Sequence, residues 1–405
     1  MLTRRQTLQH LTVATALMAS PAGIRMAFGA VPTDKRLVVV LLRGGMDGLA
    51  AIAPYGETSY RRTRGELALP RPGEPGGLVD LDGQFGLHPA LASLEPLYRS
   101  GDLAVAHAVG IPYRNRSHFD AQNVLENGTH LPHSTVDGWL NRAIGAMAPG
   151  DVPVGLAVGA NVPLIMRGDA RYTTYAPQVL PDVGTDFITR LERMYRQDPI
   201  LTKTLADAVQ AQAMKDDVLG QPRKGSRRDQ GGAQAYFRES FGAAGKLLAD
   251  RNGPRVAVLD TDGWDTHAFQ GTTGGPLATQ FENLATGLTQ LRKGLGAAWQ
   301  ESVVAVLSEF GRTVAINGTK GTDHGTGSVA LILGGAIKGG QMATTWPGLD
   351  PRHLFEGRDL APATDIRALL KGILRDHMAV PEGDIEDRVF PDSRYVAGLP
   401  GLIRT

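Results

Sequence analysis

Residues 37–48 read LVVVLLRGGMDG. An unbroken aliphatic run of this length predicts a strand buried on both faces. It stops abruptly at Arg43, Gly44 and Gly45, where the chain turns and backbone can approach a ligand closely. The same cadence recurs along the chain. LAVAHAV at 103–109 leads into GIPYRNRSHFD, VAVL at 256–259 into DTDGWDTH, and VVAVL at 303–307 into SEFGRT. SVALIL at 328–333 leads into GGAIKGG. Helix-like stretches lie between these runs at 89–99, 185–195, 202–216 and 281–299. Strands alternating with helices predict an α/β fold, a mainly parallel sheet with helices on both faces. Ligands of such sheets bind beyond the carboxyl ends of the strands. The polar clusters that follow the runs are therefore expected on one edge.

Composition narrows the chemistry. The chain has 405 residues, 42% hydrophobic and 20% charged, with a net charge of +1. These are globular values, and nothing in the charge balance points to nucleic acid as a partner. There is no cysteine. Disulfides and thiolate catalysis are excluded, and a metal has to be held by imidazole, carboxylate, hydroxyl or carbonyl groups. Residues 60–86 read as irregular, and 215–232 as an exposed charged loop.

Four clusters carry candidate chemistry. DTDGWDTH at 260–267 packs three carboxylates and an imidazole into eight residues. Asp265 and His267 face the same way if the segment is extended, and Asp262 joins them across the turn. Carboxylate with imidazole suits a divalent metal, whereas Asp side chains capping their own turn explain the same letters. GTDHGTG at 321–327 sets His324 on a tight glycine loop before a strand, as a ligand or as part of a surface turn. In SEFGRT, Glu309 is a candidate ligand or base and Arg312 a clamp for a developing oxyanion, against a plain Glu–Arg ion pair. In RNRSHFD at 114–120, Ser117 precedes a helix, where free amides favour an anion. It is a candidate nucleophile or simply an N-cap. Asp47, after the first strand, is a further candidate ligand, and His88 is expected to cap or pack against the helix after Pro89.

The first residues read MLTRRQTL, followed by a weakly apolar run ending AFGA at 27–30. A positive start, an apolar middle and a small-residue end predict an export signal, and the Arg4-Arg5 pair points to the twin-arginine translocase as its partner. The expected layout is a signal over 1–30, a mature chain starting near Val31, and one α/β domain over 31–405. The expected location is periplasmic or secreted, with no stable membrane span in the mature protein.

Taken in order, RGGMDGL, FGLHPAL, NRSHFDAQ, DGWDTH, SEFGRT and TDHGTGSVALILGG make the chain resemble the bacterial family DUF1501. That family is distantly similar to the alkaline phosphatase and sulfatase superfamily. The resemblance implies an alkaline-phosphatase-like fold and one or two divalent metals, Zn, Mn, Ca or Fe, at the strand ends. Asp262 or Asp265 with His267, and His324, match one metal's ligands. Asp47 and Glu309 match the second only approximately, because the His expected beside Glu309 is missing. Arg43, Arg116 and His118 are then expected to bind substrate, a small anionic ester or polymer, with Ser117 or water attacking and Arg312 assisting. The implied function is an exported metal-dependent hydrolase of phosphate or sulfate esters. The alternative is a non-catalytic binding or assembly protein with a degenerate site.

Overall fold

A computed structural model describes residues 33–147, 154–177, 185–219 and 232–404. The export segment and its cleavage point lie outside the described residues, as does most of the charged stretch at 215–232.

Among the described residues, eleven strands form two sheets. They are β1 (Arg36–Leu42), β2 (Ile52–Ala53), β3 (Val79–Asp80), β4 (Gly86–Leu87), β5 (Leu103–Gly110), β6 (Gly155–Val158), β7 (Tyr172–Tyr175), β8 (Val256–Thr261), β9 (Ser302–Ser308), β10 (Ser328–Leu333) and β11 (Thr364–Asp365). The main sheet runs β11-β5-β10-β9-β1-β8-β6-β7, and a small sheet runs β2-β4-β3. β1 lies at the centre, parallel to β8 on one side and to β9 on the other. β6 and β7 continue in parallel beyond β8.

β1 shows why its run Leu37–Leu42 has no polar position. Val38, Val40 and Leu42 pack into the core on one face, while Leu37, Val39 and Leu41 pack into the core on the other. The helices Gly232–Ala249 and Pro276–Leu295 cover the first face. The helices His118–Asn127, Trp139–Met147 and Ile366–Asp376 cover the second. With both faces dry, each residue of that run is selected to be apolar. Leu37–Leu42 are each 2% exposed or less.

The exception to parallel order is β10. It runs antiparallel to both β9 and β5, whereas β11 pairs parallel with β5. The reversal matters, because it brings the amino end of β10 to the edge where β1, β5, β8 and β9 have their carboxyl ends. A parallel β10 would have put the loop before it on the opposite edge.

The smaller differences from the sequence reading have local causes. The helix expected at 281–299 starts earlier, at Pro276, whose fixed φ suits a first turn, and ends at Leu295 before a 3-10 turn over Gly296–Glu301. β6, β7 and β11 were not expected, being four residues or fewer. The 60–86 region contains β3 and β4 and the end of a helix, Thr58–Arg64. His88 caps as expected: its Nδ1 accepts from Ala90 N at 3.0 Å. Among the described residues, no helix is long and apolar enough to cross a membrane.

Candidate metal centre

Three loops and one helix start meet at the strand ends. His324 Nε2 lies 2.9 Å from His118 Nε2 and 2.9 Å from His267 Nε2. Asp265 Oδ1 stands 3.0 Å from His267 Nε2 and 3.4 Å from His324 Nε2, and its Oδ2 is 3.5 Å from His118 Nε2. The donor atoms of His118, Asp265 and His324 all fall within 4.8 Å of one another. A tetrahedral ion with bonds of about 2.0–2.1 Å separates its donors by about 3.3 Å, a value these distances bracket.

The outer nitrogens decide what the inner ones can do. His324 Nδ1 donates to the carbonyl of Arg116 at 2.9 Å. His118 Nδ1 faces Glu309 Oε1 at 2.8 Å, and His267 Nδ1 faces Asp323 Oδ1 at 3.2 Å. Each neutral ring then carries its proton on Nδ1 and points a bare Nε2 lone pair inward. Lone pairs at such separations repel unless a cation lies among them. Backbone or carboxylate partners on the far nitrogen are the usual support of metal-bound imidazoles. Without an ion the strain falls on protons. The Glu309 hydrogen bond raises the pKa of His118, while burial, and then the charge on His118, lowers that of His324.

The carboxylates divide by role. Asp265 is half exposed; burial works against its charge, but Arg312 holds it below the usual carboxylate range. Glu309 is buried and saturated. Burial opposes its charge, but His118, Gln122 Nε2 at 3.0 Å and Gly44 N at 2.9 Å keep its pKa low. Ser308 Oγ donates to its other oxygen at 3.0 Å. Glu309 therefore orients His118 rather than adding a donor. Asp323 is held low first by Asn317, then by His267.

Phe310 forms the floor. Its ring packs 4.7 Å from that of His118 and 5.2 Å from that of His324, centroid to centroid. Two glycines make room for this arrangement. A Cβ on Gly44 would lie 2.6 Å from Asp265 N, and one on Gly45 would lie 2.5 Å from Phe310 Cε2. Both have positive φ.

Several expected roles change. His118, expected at the substrate, stands with Asp265 and His324 in the group that could hold a metal ion. Asp47 is buried under Arg64, accepts from Gln270 Nε2 at 2.7 Å, and caps the short helix Gly48–Ala51 through Leu49 N and Ala50 N. Both of its oxygens are engaged, so it offers no ligand. Asp262 is exposed and lies outside the donor group. Ser117 Oγ is an N-cap, accepting from Asp120 N at a long 3.5 Å. Arg312 is fully buried: Nε donates to Gly45 O at 2.8 Å, Nη1 to Thr322 O at 3.1 Å, and Nη2 to Asp265 and to the carbonyls of Gly44 and Trp264. It braces three loops, and its side chain has no contact with solvent. Arg43 pairs with Glu126 at 2.7 Å and Asp260 at 2.9 Å, and Arg116 with Glu356 at 2.6 Å and Asp359 at 2.8 Å. Among the described residues no second group of three donors appears.

Sequence reasoning missed Gln122, Glu126 and Asp323. The first two were legible. His118, Gln122 and Glu126 recur every four residues, which places them on one helix face, and that face looks onto the site. Asp323 is adjacent to His324 in the motif already singled out.

The chain matches the family described as "Protein of unknown function (DUF1501)" over residues 102–388. It belongs to the DUF1501 family. The DUF1501 match contains the loops of His118, Asp265, His267, Glu309 and His324, and leaves RGGMDGL and FGLHPAL outside. No curated protein matches the chain. Among solved structures, it is similar to the lipoteichoic acid synthase LtaP from Listeria monocytogenes, at 9% identity and a TM-score of 0.35, covering 80% of this chain and 71% of that one. It is also similar to the C-terminal periplasmic domain of EcEptC from Escherichia coli in complex with Zn, at 12% identity and a TM-score of 0.36, covering 75% and 74%. A putative sulfatase from Bacteroides thetaiotaomicron has 10% identity and a TM-score of 0.33, covering 86% and 72%.

Proposed function

We propose that this DUF1501 protein is an exported, metal-dependent hydrolase of phosphate or sulfate esters. The observation that carries the proposal is the convergence of bare imidazole nitrogens beside Asp265, each ring fixed by a partner on its outer nitrogen. Two imidazoles and one carboxylate, with a third imidazole beside them, favour zinc or a neighbouring late transition ion over calcium, which prefers oxygen donors. His118, Asp265 and His324 would hold the ion. A divalent ion there supplies Lewis acidity toward an ester oxygen.

The chain's own groups do the rest. Arg312 and Glu309 keep Asp265 and His118 in place. His267 is half exposed and its Nδ1 is held by Asp323, so its Nε2 is the acceptor for a proton from an attacking water. Water is assigned as nucleophile because the Ser117 hydroxyl serves as a cap. Export rests on Arg4-Arg5 and the apolar run behind them.

Two observations favour a second reading, a metal-holding protein without turnover. Ser117 is a cap, and Arg312 is buried away from any substrate. The experiment that decides uses the purified mature protein. Metal content is measured after loading with zinc, manganese, iron or calcium, then a panel of chromogenic phosphate and sulfate esters is assayed. The expected result is one tightly held transition ion and ester turnover, with His324→Ala weakening the ion at least a hundredfold. Binding without turnover supports the second reading. Failure to hold any of the four ions removes both.

A further inference from the structure

We infer that the ester centre this site accepts carries a single negative charge, as in a phosphodiester or a sulfate monoester, rather than the two charges of a phosphate monoester. The inference rests on the hydrolase reading above and deepens it. It comes from which charges around the donors are free and which face solvent.

Arg312, Arg43, Arg116 and Arg358 are each already engaged. Arg312 is spent on Asp265 and on loop carbonyls. Arg43 stands between Glu126 and Asp260, two carboxylates for one guanidinium. Arg116 and Arg358 share Asp359, and Arg116 also holds Glu356. Lys320 is paired with Glu66 at 3.1 Å. Glu309, Asp323 and Asp262 remain over, and a divalent ion neutralises only part of that excess.

Position sharpens the imbalance. The side chain of Arg312 is 0% exposed, that of Arg43 17% and that of Arg116 20%, whereas those of Asp265 and Asp323 are 44% and 50% exposed. Asp262 is exposed as well, and partial burial together with the neighbouring Asp260 and Glu309 charges raises its pKa. Arg312, Arg43 and Arg116 therefore lie inside together with Glu309, Glu126 and Asp359, while Asp262, Asp265 and Asp323 are the carboxylates that face solvent. An anion arriving from solvent meets these three exposed carboxylates. Repulsion scales with the charge of the arriving group, so a dianion is penalised twice as much as a monoanion. Arg358, with a side chain 41% exposed, has Asp359 3.4 Å away and donates to the carbonyl of His324 at 2.9 Å.

Binding energy then comes from the organic part of the ester. Phe119 follows His118 directly and is 86% exposed, and Phe269 lies two residues beyond His267 and is 72% exposed. Phe269 adopts φ 48, a region that costs a non-glycine residue energy, and its segment is pinned by Phe269 N to Thr319 O at 2.9 Å and Gln270 N to Lys320 O at 3.0 Å.

The test compares three nitrophenyl esters on the zinc-loaded protein at pH 8, where a phosphate monoester is a dianion. The expected order is bis-nitrophenyl phosphate or nitrophenyl sulfate well above nitrophenyl phosphate in kcat/KM, and the two monoanions tell the phosphorus and sulfur cases apart. Asp262→Asn should narrow the gap to the dianion by about threefold or more. A phosphate monoester turned over as fast as the better of the two monoanions overturns the inference, and so does a gap unchanged by Asp262→Asn. If no ester is hydrolysed, the hydrolase reading fails. Calorimetry with diethyl phosphate and ethyl phosphate then tests the charge preference alone, and tighter binding of ethyl phosphate overturns it.

Discussion

Replacing Gly45 by alanine separates the scaffold of the centre from its ligands. The substitution has two costs. Gly45 sits at φ +67, where a side chain costs about 1–2 kcal/mol. The new Cβ would also lie 2.5 Å from Phe310 Cε2 and 2.7 Å from Cδ2, about 1 Å inside ordinary carbon contact. Phe310 is buried, with the rings of His118 and His324 packed beside it, so it has to push on those imidazoles or the backbone has to give. Overpacking of this kind costs about 1–3 kcal/mol. The expected loss is about 2–5 kcal/mol in urea unfolding of the metal-free protein, the sum of those two costs, with zinc affinity at least tenfold weaker as the nitrogens leave register. Gly45→Ala combined with Phe310→Leu should recover the overpacking part of the stability but not the backbone part. A Gly45→Ala protein with unchanged stability and unchanged zinc affinity refutes the reasoning.

Three other outcomes follow from single features. His107 and His377 are buried, and burial lowers their pKa values to about 4 from 6.5. The unfolded chain therefore binds more protons below pH 6.5, and stability present above that pH is lost as pH falls toward 4. The slope is about 1.4 kcal/mol per pH unit for each residue near pH 5; a flat urea midpoint between pH 7 and 5 would contradict it. Ser117→Ala should cost about 1 kcal/mol as a lost cap and leave zinc affinity unchanged; a hundredfold drop in ester turnover at equal metal content would instead make Ser117 the nucleophile. Exchanging Arg4 and Arg5 for lysine should block export, which cell fractionation reads directly: full periplasmic yield would remove the twin-arginine assignment.

The strands were legible because a buried strand has no choice of residue. LVVVLL is apolar throughout, since Val38 and Val39 face different helix layers and neither meets water. The members of the site were legible for a related reason: polar residues crowded beside glycine at strand ends have few roles in a core. The four-residue spacing of His118, Gln122 and Glu126 was in the sequence too, because a helix repeats at that interval.

What the sequence could not contain was direction and company. SVALIL reads the same whether β10 runs with its neighbours or against them, yet its reversal brings His324 to the edge that carries His118, Asp265 and His267. Asp47 and Asp265 both follow strands on glycine-bearing loops. Arg64 and Gln270 close over the first, while the second stays half exposed beside three imidazoles. Likewise Arg312 and Glu309 stand three residues apart, but burial turns one into a brace for Asp265 and the other into a support for His118. Local sequence fixes which groups are available and on which periodicity they lie. Packing decides which of them keep a free lone pair, because a donor or carboxylate swallowed by the core has to be satisfied there, and one left at the sheet edge does not.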